Sequence, residues 1–439
     1  MRNAAPLLRR TARKLRRRWW RLRQSIDRTP FDERYYLAAN DDVAAAVEEG
    51  RLSTAWQHFH EWGVSEGRSG VRSLEHRVDD ELLIAPATAM VFLELTSRCN
   101  LRCVYCPVSQ PGYHGSDMLL EHFDHFIGEM KRRGVQIVVL NGHGESSIVK
   151  EWDAIADRLA DEGFRLHITT NLAKRLTEPE IAALSRFESI LVSIDTVDAT
   201  LLGELRRGAR LETILGNLEA VIAYAAKRRR APEFAVSCVV SDRSAPGIAA
   251  LVDTLLGLGV RKFRFGDLVE YPAIDGAAAV RHVTSLSRDA LDDARAQFRY
   301  AMDEIARHGA SANVDPPVLA VLAGDGTAPI EVEERTIDVA MKTVRFDRPA
   351  ARETRDCLDP WRVAFVHASR EVRPCCFYEE TLGQLDGESL RAIVNGARFR
   401  ELRLGLLTGD LPRSCASCNA RPLIDIDGLR AKVREYVGS

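Results

Sequence analysis

The sequence Cys99-Asn-Leu-Arg-Cys103-Val-Tyr-Cys106 directly follows an apolar segment, Val91 to Leu95. Three thiolates in this C-x3-C-x2-C pattern can each bind a different iron of a [4Fe–4S] cube, because soft sulfur ligands suit iron–sulfur clusters. The loop has no fourth cysteine, so one iron would stay open to bind a small molecule. A zinc loop or three unrelated buried cysteines are the alternatives, but zinc sites usually pair two C-x2-C motifs and this loop has one.

This loop, with the aromatic Tyr105 before its last cysteine, resembles the cluster loop of the radical S-adenosylmethionine (radical SAM) superfamily. The resemblance implies that Cys99, Cys103 and Cys106 hold a [4Fe–4S] cluster whose open iron binds SAM. An electron from the cluster would then cleave SAM to a 5′-deoxyadenosyl radical. The resemblance also implies an external electron donor such as flavodoxin or ferredoxin.

Six strand-like segments alternate with helix-like segments from about residue 88 onward. The strand-like segments are Met90–Leu95, Gln136–Leu140, Arg165–Thr169, Ser189–Ile194, Glu233–Val240 and Lys262–Phe265. The helix-like segments are Glu121–Arg133, Trp152–Glu162, Glu178–Phe187, Glu212–Lys227 and Ile248–Leu258. This alternation predicts an α/β fold with a parallel sheet and helices outside it. The resemblance implies a partial (β/α)6 radical SAM barrel, with the site at the C-terminal ends of the strands.

The motif Asn141-Gly-His-Gly-Glu145-Ser follows the second predicted strand, and its glycines let the backbone approach a ligand closely. It resembles the family's Gly-Gly-Glu-Pro motif, which holds the SAM amino group, although His143 interrupts the glycines and Ser146 replaces the proline. The residues expected to contact SAM are Tyr105, Gly142, Gly144, Glu145, Asn171, Ser193, Asp195 and Arg206. Arg206 is expected to pair with the SAM carboxylate. Taken singly, each polar residue could instead be a strand-end cap, and no residue type identifies the catalytic acid or base.

A second set of cysteines lies near the C-terminal end: Cys357, Cys375, Cys376, Cys415 and Cys418. The segments around it, including Cys357-Leu-Asp-Pro-Trp361 and Cys415-Ala-Ser-Cys418, closely resemble the SPASM/twitch extension of radical SAM enzymes. The resemblance implies an auxiliary [4Fe–4S] cluster, for which we select Cys357, Cys375, Cys415 and Cys418. Four thiolates close a cluster, which suits electron transfer better than substrate binding. Spacing alone leaves open a swap of Cys375 for Cys376, and it leaves open a structural zinc site with four cysteine ligands.

Five regions follow from these patterns. They are a basic amphipathic arm (1–28), a small helical module (29–75), the radical SAM partial barrel (86–280), a helical connector (281–350) and a SPASM/twitch auxiliary-cluster domain (351–439). The segment 31–70 resembles a short module found on bacterial glycosyltransferases and other cell-surface polysaccharide proteins.

Positive charge is concentrated in the arm. Residues 1–28 contain eleven Lys or Arg against one Asp, a net charge of +10, whereas the whole chain carries −2. A basic amphipathic helix with Trp19 and Trp20 suits an anionic membrane surface; a solvated arm, or one touching nucleic acid, is the alternative. Because the rest of the chain is acidic, a nucleic-acid-binding body is not expected. No apolar run reaches the ~18 residues of a membrane span and no signal peptide is predicted, so we expect a cytoplasmic protein, peripheral at the inner face of the membrane through its arm.

The sequence predicts a radical SAM oxidoreductase that acts on a small molecule or a peptide. In having one auxiliary cluster, the predicted enzyme resembles the twitch-type dehydrogenases. The N-terminal module adds support for a sugar or cyclitol substrate linked to cell-surface polysaccharide or secondary metabolism. A SPASM-type peptide-modifying maturase is the alternative enzyme. The alternative from another class is a non-catalytic zinc-binding, membrane-surface protein.

Overall fold

A computed structural model describes residues 31–33, 36–37, 40–66, 68, 78–119, 123–268, 280–323, 349–350, 352–418 and 420–438. Its strands are β1 Met90–Leu93, β2 Arg102–Cys103, β3 Ile137–Leu140, β4 Arg165–Thr170, β5 Ser189–Ser193, β6 Arg206–Arg207, β7 Glu233–Val240, β8 Lys262–Asp267, β9 Ser311–Val314, β10 Glu353–Arg355, β11 Val363–Val366, β12 Glu371–Arg373, β13 Gly383–Gln384 and β14 Leu423–Asp425. Ten of these strands form one sheet in the order β13-β12-β11-β1-β3-β4-β5-β7-β8-β9.

Helices alternate with the strands of the sheet. The α-helices are α1 Asp41–Glu48, α2 Ala55–His58, α3 Phe123–Arg132, α4 Trp152–Asp161, α5 Glu178–Leu184, α6 Ala199–Leu205, α7 Leu211–Ala225, α8 Ile248–Gly257, α9 Arg288–Arg307, α10 Pro316–Leu322, α11 Asp359–Arg362, α12 Leu390–Val394, α13 Ala397–Thr408, α14 Arg413–Ala416 and α15 Ile426–Gly438. A π-helical turn, Phe59–Gly63, follows α2.

The predicted α/β fold with a partial barrel is confirmed. Strands β1, β3, β4, β5, β7 and β8 pair in parallel, in the order in which they follow one another along the chain. Val91 and Leu93 are fully buried, whereas Met90 and Phe92, which alternate with them along the strand, are only partly buried. Because side chains alternate between the two faces of a strand, one face of β1 packs in the core and the other lines the inside of the barrel. The outermost strands, β13 and β9, are not paired with each other, so the barrel stays open.

The region between the barrel and the second cysteine set contains a strand as well as helices. Helix α9 begins after its N-cap residue Ser287, whose hydroxyl accepts the Ala290 N–H. The chain then forms β9, which pairs in parallel with β8 and lengthens the sheet. The expected helical connector, residues 281–350, therefore contributes a seventh parallel strand at this edge. Short segments such as Ser311–Val314 show little periodicity, which explains why the sequence did not indicate this strand.

The C-terminal region joins the same sheet. Strand β11 pairs in parallel with β1, and β12 and β13 follow in antiparallel order. The second cysteine set thus belongs to a region whose strand β11 pairs with the first barrel strand, which a boundary drawn along the chain at residue 351 does not convey. No local sequence pattern predicts pairing between strands that lie so far apart in the chain.

The N-terminal module has a small aromatic core of its own. Tyr36, Trp56 and Phe59 are buried and pack with Val43 and Phe31. The arm, residues 1–28, lies outside the described residues. Among the described helices, none is both long enough and apolar enough to cross a membrane.

Candidate active site

The first cysteine loop is held by a short two-stranded ribbon. Strand β2 pairs antiparallel with β6, so that Cys103 lies opposite Arg206, and the Val104 N–H donates to the Leu205 carbonyl over 2.9 Å. The Cys106 N–H donates to the Cys103 carbonyl, which turns the loop back on itself. The ribbon therefore fixes a loop that follows β1 against a segment that follows β5.

Arg206 and Asp195 form a buried ion pair beneath this loop. The guanidinium donates through Nε and Nη2 to the two carboxylate oxygens, each over 2.8 Å. The Tyr105 hydroxyl and the Val239 N–H also donate to Asp195. Burial lowers the pKa of Arg206, but the neighbouring Asp195 outweighs it and holds that pKa well above its usual value.

This pairing engages the guanidinium that was expected to face SAM. The Arg206 Nε and Nη2 groups and the Tyr105 hydroxyl all donate to Asp195. Tyr105, Asp195 and Arg206 thus hold one another beside the cysteine loop, and their contact with SAM stays a prediction. The sequence could not indicate this mutual contact, because the three residues come from separate segments.

Glu145 follows β3, and its side chain accepts hydrogen bonds from residues at the end of β4. One carboxylate oxygen accepts from the Thr170 hydroxyl over 2.8 Å and from the Ser147 N–H over 3.2 Å, and the other accepts from the Asn171 N–H over 2.7 Å. An ionised carboxylate has about four acceptor positions. Three are occupied by protein donors, so one position remains for an ammonium group such as that of SAM.

The two glycines of the Asn141–Glu145 motif are required by close contacts. A Cβ on Gly142 would lie 2.4 Å from Glu94 Oε1, and a Cβ on Gly144 would lie 2.3 Å from the Arg98 carbonyl oxygen. Both distances are below any real carbon contact. The glycines therefore let the β3 loop approach β1 and the start of the cysteine loop.

Asn171 and Ser193 lie at the ends of neighbouring strands. The Asn171 amide donates to Asn100 Oδ1 over 2.9 Å and points at Cys99 Sγ over 3.7 Å, so it contacts the first cysteine directly. Ser193 ends β5 beside Ser237 of β7. A cavity of about 380 Å³ adjoins Cys99 and is lined also by Arg98, Tyr113, His114 and Ile148.

The thiols of the first loop are desolvated. Burial raises the pKa of Cys99 and of Cys106, and it raises the pKa of Cys103 to about 12. Such thiols bind a proton at neutral pH unless a metal replaces it. Cys99 and Cys106 also accept a backbone N–H from the residue two positions later, Leu101 and Val108. One buried and two partly buried thiols, the latter two with N–H donors to sulfur, fit an iron–sulfur cluster.

The second cysteine set surrounds a larger cavity of about 660 Å³. Cys357, Cys375, Cys376, Cys415 and Cys418 all line this cavity. The buried Arg355 ties its loops together, because its guanidinium donates to the carbonyls of Cys415, Ala416 and Arg421. Arg421 and Arg264 also line the cavity, and their positive charge suits a cluster that carries four thiolates.

The structure separates Cys375 from Cys376. Burial and the neighbouring thiols of the set together raise the pKa of Cys375 and of Cys415 to about 12. Cys375 is partly buried and raises the pKa values of Cys357 and Cys415, whereas the side chain of Cys376 is exposed. Cys357 and Cys375 accept the N–H two residues later, from Asp359 and Phe377. These contacts support Cys375 as the ligand.

The sulfur positions also bear on the zinc alternative. A tetrahedral zinc ion with Zn–S bonds of about 2.3 Å holds its four sulfurs about 3.8 Å apart. Within the described part of the chain, no three cysteine sulfurs lie within 4.8 Å of one another. A cube holds its ligands farther apart because each sulfur binds a different corner. The arrangement therefore suits clusters better than zinc.

The larger cavity reaches from the second cysteine set into the barrel. It is lined there by Phe92 of β1, Phe365 of β11, Asn141 after β3 and Arg264 of β8. Phe92 and Phe365 stack with ring centroids 5.8 Å apart. The first cysteine loop follows the C-terminal end of β1, so this loop and the larger cavity both adjoin β1.

Three residues at this end of the barrel were not selected from the sequence. Glu94, His143 and His367 meet at the ends of β1, β3 and β11. A signal existed for Glu94, since a carboxylate between two leucines in a buried strand is unusual. His143 was noted only as an interruption of the glycine motif, and His367 had no local signal.

Comparison with known protein families identifies two domains. The family model of the radical SAM superfamily matches residues 93–228. The model of the SPASM iron–sulfur cluster-binding domain matches residues 357–419. The first match begins within β1 and includes the cysteine loop, and the second includes all five cysteines of the second set.

Two sequence relatives each match less than half of the chain. An S-adenosylmethionine-dependent nucleotide dehydratase from Selenomonas ruminantium is 30% identical over 25% of this chain and 39% of its own length. A GTP 3′,8-cyclase from Corynebacterium glutamicum is 33% identical over 30% of this chain and 37% of its own length. The matches thus span less than half of either relative.

Solved structures share the fold over most of the chain. SuiB from Streptococcus suis, bound to S-adenosylmethionine, aligns with a TM-score of 0.53 at 15% identity over 83% of this chain and 78% of SuiB. The structure of anSMEcpe with bound AdoMet aligns with a TM-score of 0.51 at 15% identity over 80% of this chain and 93% of that one. At 15% sequence identity, these alignments show a shared fold.

Proposed function

Because the chain is a radical SAM protein with a C-terminal SPASM domain, we propose that it is an oxidoreductase that cleaves SAM at its first cysteine site and passes an electron from its substrate to the second. Cys99, Cys103 and Cys106 would hold the first [4Fe–4S] cluster, and Cys357, Cys375, Cys415 and Cys418 the auxiliary one. When bound, these cofactors supply a 5′-deoxyadenosyl radical that removes a hydrogen atom and an acceptor for the remaining electron. An external flavodoxin or ferredoxin would supply the first electron.

The observation that carries this proposal is the cavity of about 660 Å³ between the second cysteine set and the inner face of the barrel. Its volume lies in the range of small-molecule sites. A substrate there would touch the auxiliary site at one end and face the first cysteine loop at the other. Electron transfer and hydrogen abstraction could then act on one molecule.

Around SAM, the chain's own residues would orient rather than react. The remaining acceptor position on Glu145 would take the SAM ammonium group. Asn171 would hold its amide toward Cys99, where a hydrogen bond to sulfur tunes a cluster. Asp195, Arg206 and Tyr105 would keep the cysteine loop in place from beneath.

We propose a sugar or cyclitol as the substrate. The resemblance of the N-terminal module to polysaccharide-associated proteins supports this choice, and polar side chains such as Asn141, Arg264 and Asp359 line the cavity beside aromatic ones. A peptide substrate is the alternative; SuiB has been solved with its precursor peptide SuiA, but that likeness concerns the fold alone. The arm, residues 1–28, remains predicted to contact an anionic membrane surface, where each basic residue contributes about 1 kcal/mol.

Deuterium transfer tests the proposal. Anaerobically reconstituted protein is given SAM, a reductant and a candidate cyclitol or sugar deuterated at its carbinol carbons. We expect 5′-deoxyadenosine that carries deuterium, measured by mass spectrometry. Absence of 5′-deoxyadenosine with every donor would contradict SAM cleavage, whereas deuterium transfer from a peptide but from no saccharide would replace the substrate and keep the chemistry.

A further inference from the structure

Glu94, His143 and His367 converge where three neighbouring strands end. Glu94 follows β1, His143 lies in the loop after β3, and His367 follows β11. His143 Nδ1 lies 3.1 Å from Glu94 Oε1, and His367 Nδ1 lies 3.3 Å from Glu94 Oε2. The two imidazole rings stack at 5.5 Å with 24° between their planes. Three possible ligands from separate strands thus surround one point.

This cluster lies inside the barrel. Phe92 and Phe365, two residues before Glu94 and His367, are partners in register and line the larger cavity. Since alternate residues of a strand share a face, Glu94 and His367 point to the same interior. The cluster is one layer closer than the aromatic pair to the C-terminal ends of the strands, where barrel sites lie.

The charge of Glu94 is not balanced by a basic side chain. Glu94 is 2% exposed, and among the described residues its ion-pair partners are the two histidines, with no Lys or Arg within 4 Å. Burial raises the pKa of Glu94, but hydrogen bonds from the His143 and His367 rings and from two backbone N–H groups hold it well below its usual range. Two ring N–H groups and two backbone N–H groups thus compensate the carboxylate, and a metal ion would take the place of the two ring protons.

One ring nitrogen of the cluster has no partner. His367 Nε2 is buried and makes no hydrogen bond to the residues that the structure describes. Buried polar atoms usually have a partner, and metal ions bind neutral imidazoles.

The ligand geometry also suits a metal ion. Nitrogen and oxygen ligands at about 2.1 Å from one ion are about 3.0 Å apart in octahedral and about 3.4 Å apart in tetrahedral coordination. The two separations from Glu94, 3.1 and 3.3 Å, lie within this interval, and the ligand atoms of the three residues lie within 4.8 Å of one another. We propose that Glu94, His143 and His367 bind a divalent first-row metal ion inside the barrel.

Two histidines and one carboxylate form a ligand set that suits Fe²⁺, Mn²⁺ or Zn²⁺ and leaves coordination positions open. Backbone N–H groups of His143 and Ala368 already hold the carboxylate oxygens, as outer-shell donors do around metal ligands. The open positions would bind an oxygen or nitrogen atom of a molecule inside the barrel. The three proposed ligands include no cysteine of either set, so binding of a metal ion can be measured without SAM cleavage.

Binding of Mn²⁺ tests the site without turnover. The cluster-loaded protein is treated with a chelator, desalted and titrated anaerobically with Mn²⁺, and the free ion is measured by its electron paramagnetic resonance signal. We expect one tight Mn²⁺ per chain for the wild type, and at least tenfold weaker binding for Glu94→Gln and for His143→Gln. Cluster absorbance and circular dichroism are recorded for each variant.

The matched control is Glu304→Gln. Glu304 is also a buried carboxylate beside a histidine, since His308 Nδ1 lies 3.6 Å from it, but this pair lies on helix α9, away from the cluster. This variant should bind Mn²⁺ as the wild type does. If Glu94→Gln fails to fold, His143→Gln decides, because His143 is 39% exposed and carries less of the packing. A wild type without a stoichiometric site, or variants that all bind alike, would overturn the proposal.

Discussion

The two cysteine sites differ in where their ligands come from and in the charge around them. The first takes three cysteines from one loop of eight residues and lies beside Asp195, Glu145 and Asn171. The second draws on loops from residue 357 to residue 418, and arginines hold and line it, namely Arg355, Arg421 and Arg264. Three ligands leave an iron open, whereas four close the cluster. The comparison suggests that the first site is built to bind a ligand and the second to exchange electrons.

The largest expected effect separates the two sites by activity. Cys99→Ala, Cys103→Ala or Cys106→Ala should reduce 5′-deoxyadenosine formation to the level without protein, because each removes one of three cluster ligands. Cys357→Ala should still form 5′-deoxyadenosine from SAM and dithionite, since its cluster does not contact SAM. Chromatography of the quenched reactions measures both. Cleavage that survives in Cys99→Ala would show that this loop does not hold the active cluster.

The next effect concerns how many clusters each set holds. Reconstituted wild-type protein, freed of loose iron, should contain about eight irons and eight sulfides in two cubes. Cys375→Ala or Cys415→Ala should lower both counts to about four. Cys376→Ala is the matched control and should keep about eight, because the neighbouring cysteine makes the set's contacts. Equal losses in Cys375→Ala and Cys376→Ala would mean that the ligand choice is wrong.

A stability difference should distinguish the ion pair under the first loop from an exposed pair. Arg206→Met leaves Asp195 buried without its partner, which should lower the free energy of unfolding by about 3–5 kcal/mol. Arg243→Met removes a solvent-exposed pair with Glu204 and should cost about 0–1 kcal/mol. Anaerobic urea titration followed by circular dichroism measures both. Similar losses for the two variants would refute the idea that the buried pair supports the cysteine loop.

The smallest expected effect is on the potential of the first cluster. Asn171→Leu removes the amide that points at Cys99 Sγ over 3.7 Å. A hydrogen bond of about 1 kcal/mol corresponds to about 40 mV for one electron, so the potential should fall by about that amount. Potentiometry with electron paramagnetic resonance measures it, and the second cluster serves as the internal control. A shift of both clusters together would instead indicate a general change of the fold.

Much of the site could be predicted from the sequence because its chemistry is local. Cys99, Cys103 and Cys106 are close in the chain, and Glu145 follows a strand as its motif requires. Arg206 was assigned to the SAM carboxylate, yet its guanidinium pairs with Asp195, eleven residues away in the chain. Sequence shows which residue carries a charge but not which partner the fold brings to it.

The sequence alone determined the order of strands and helices in the barrel and the two cysteine sets, because hydrophobic periodicity and ligand spacing act over a few residues. Tertiary structure alone decided that β9 and β11 extend the barrel sheet on its two sides, since each pairing joins segments far apart in the chain. It also decided that Cys376 is more exposed than Cys375, and that Glu94, His143 and His367 meet. Pairing and burial depend on where distant segments pack, and no local pattern records this.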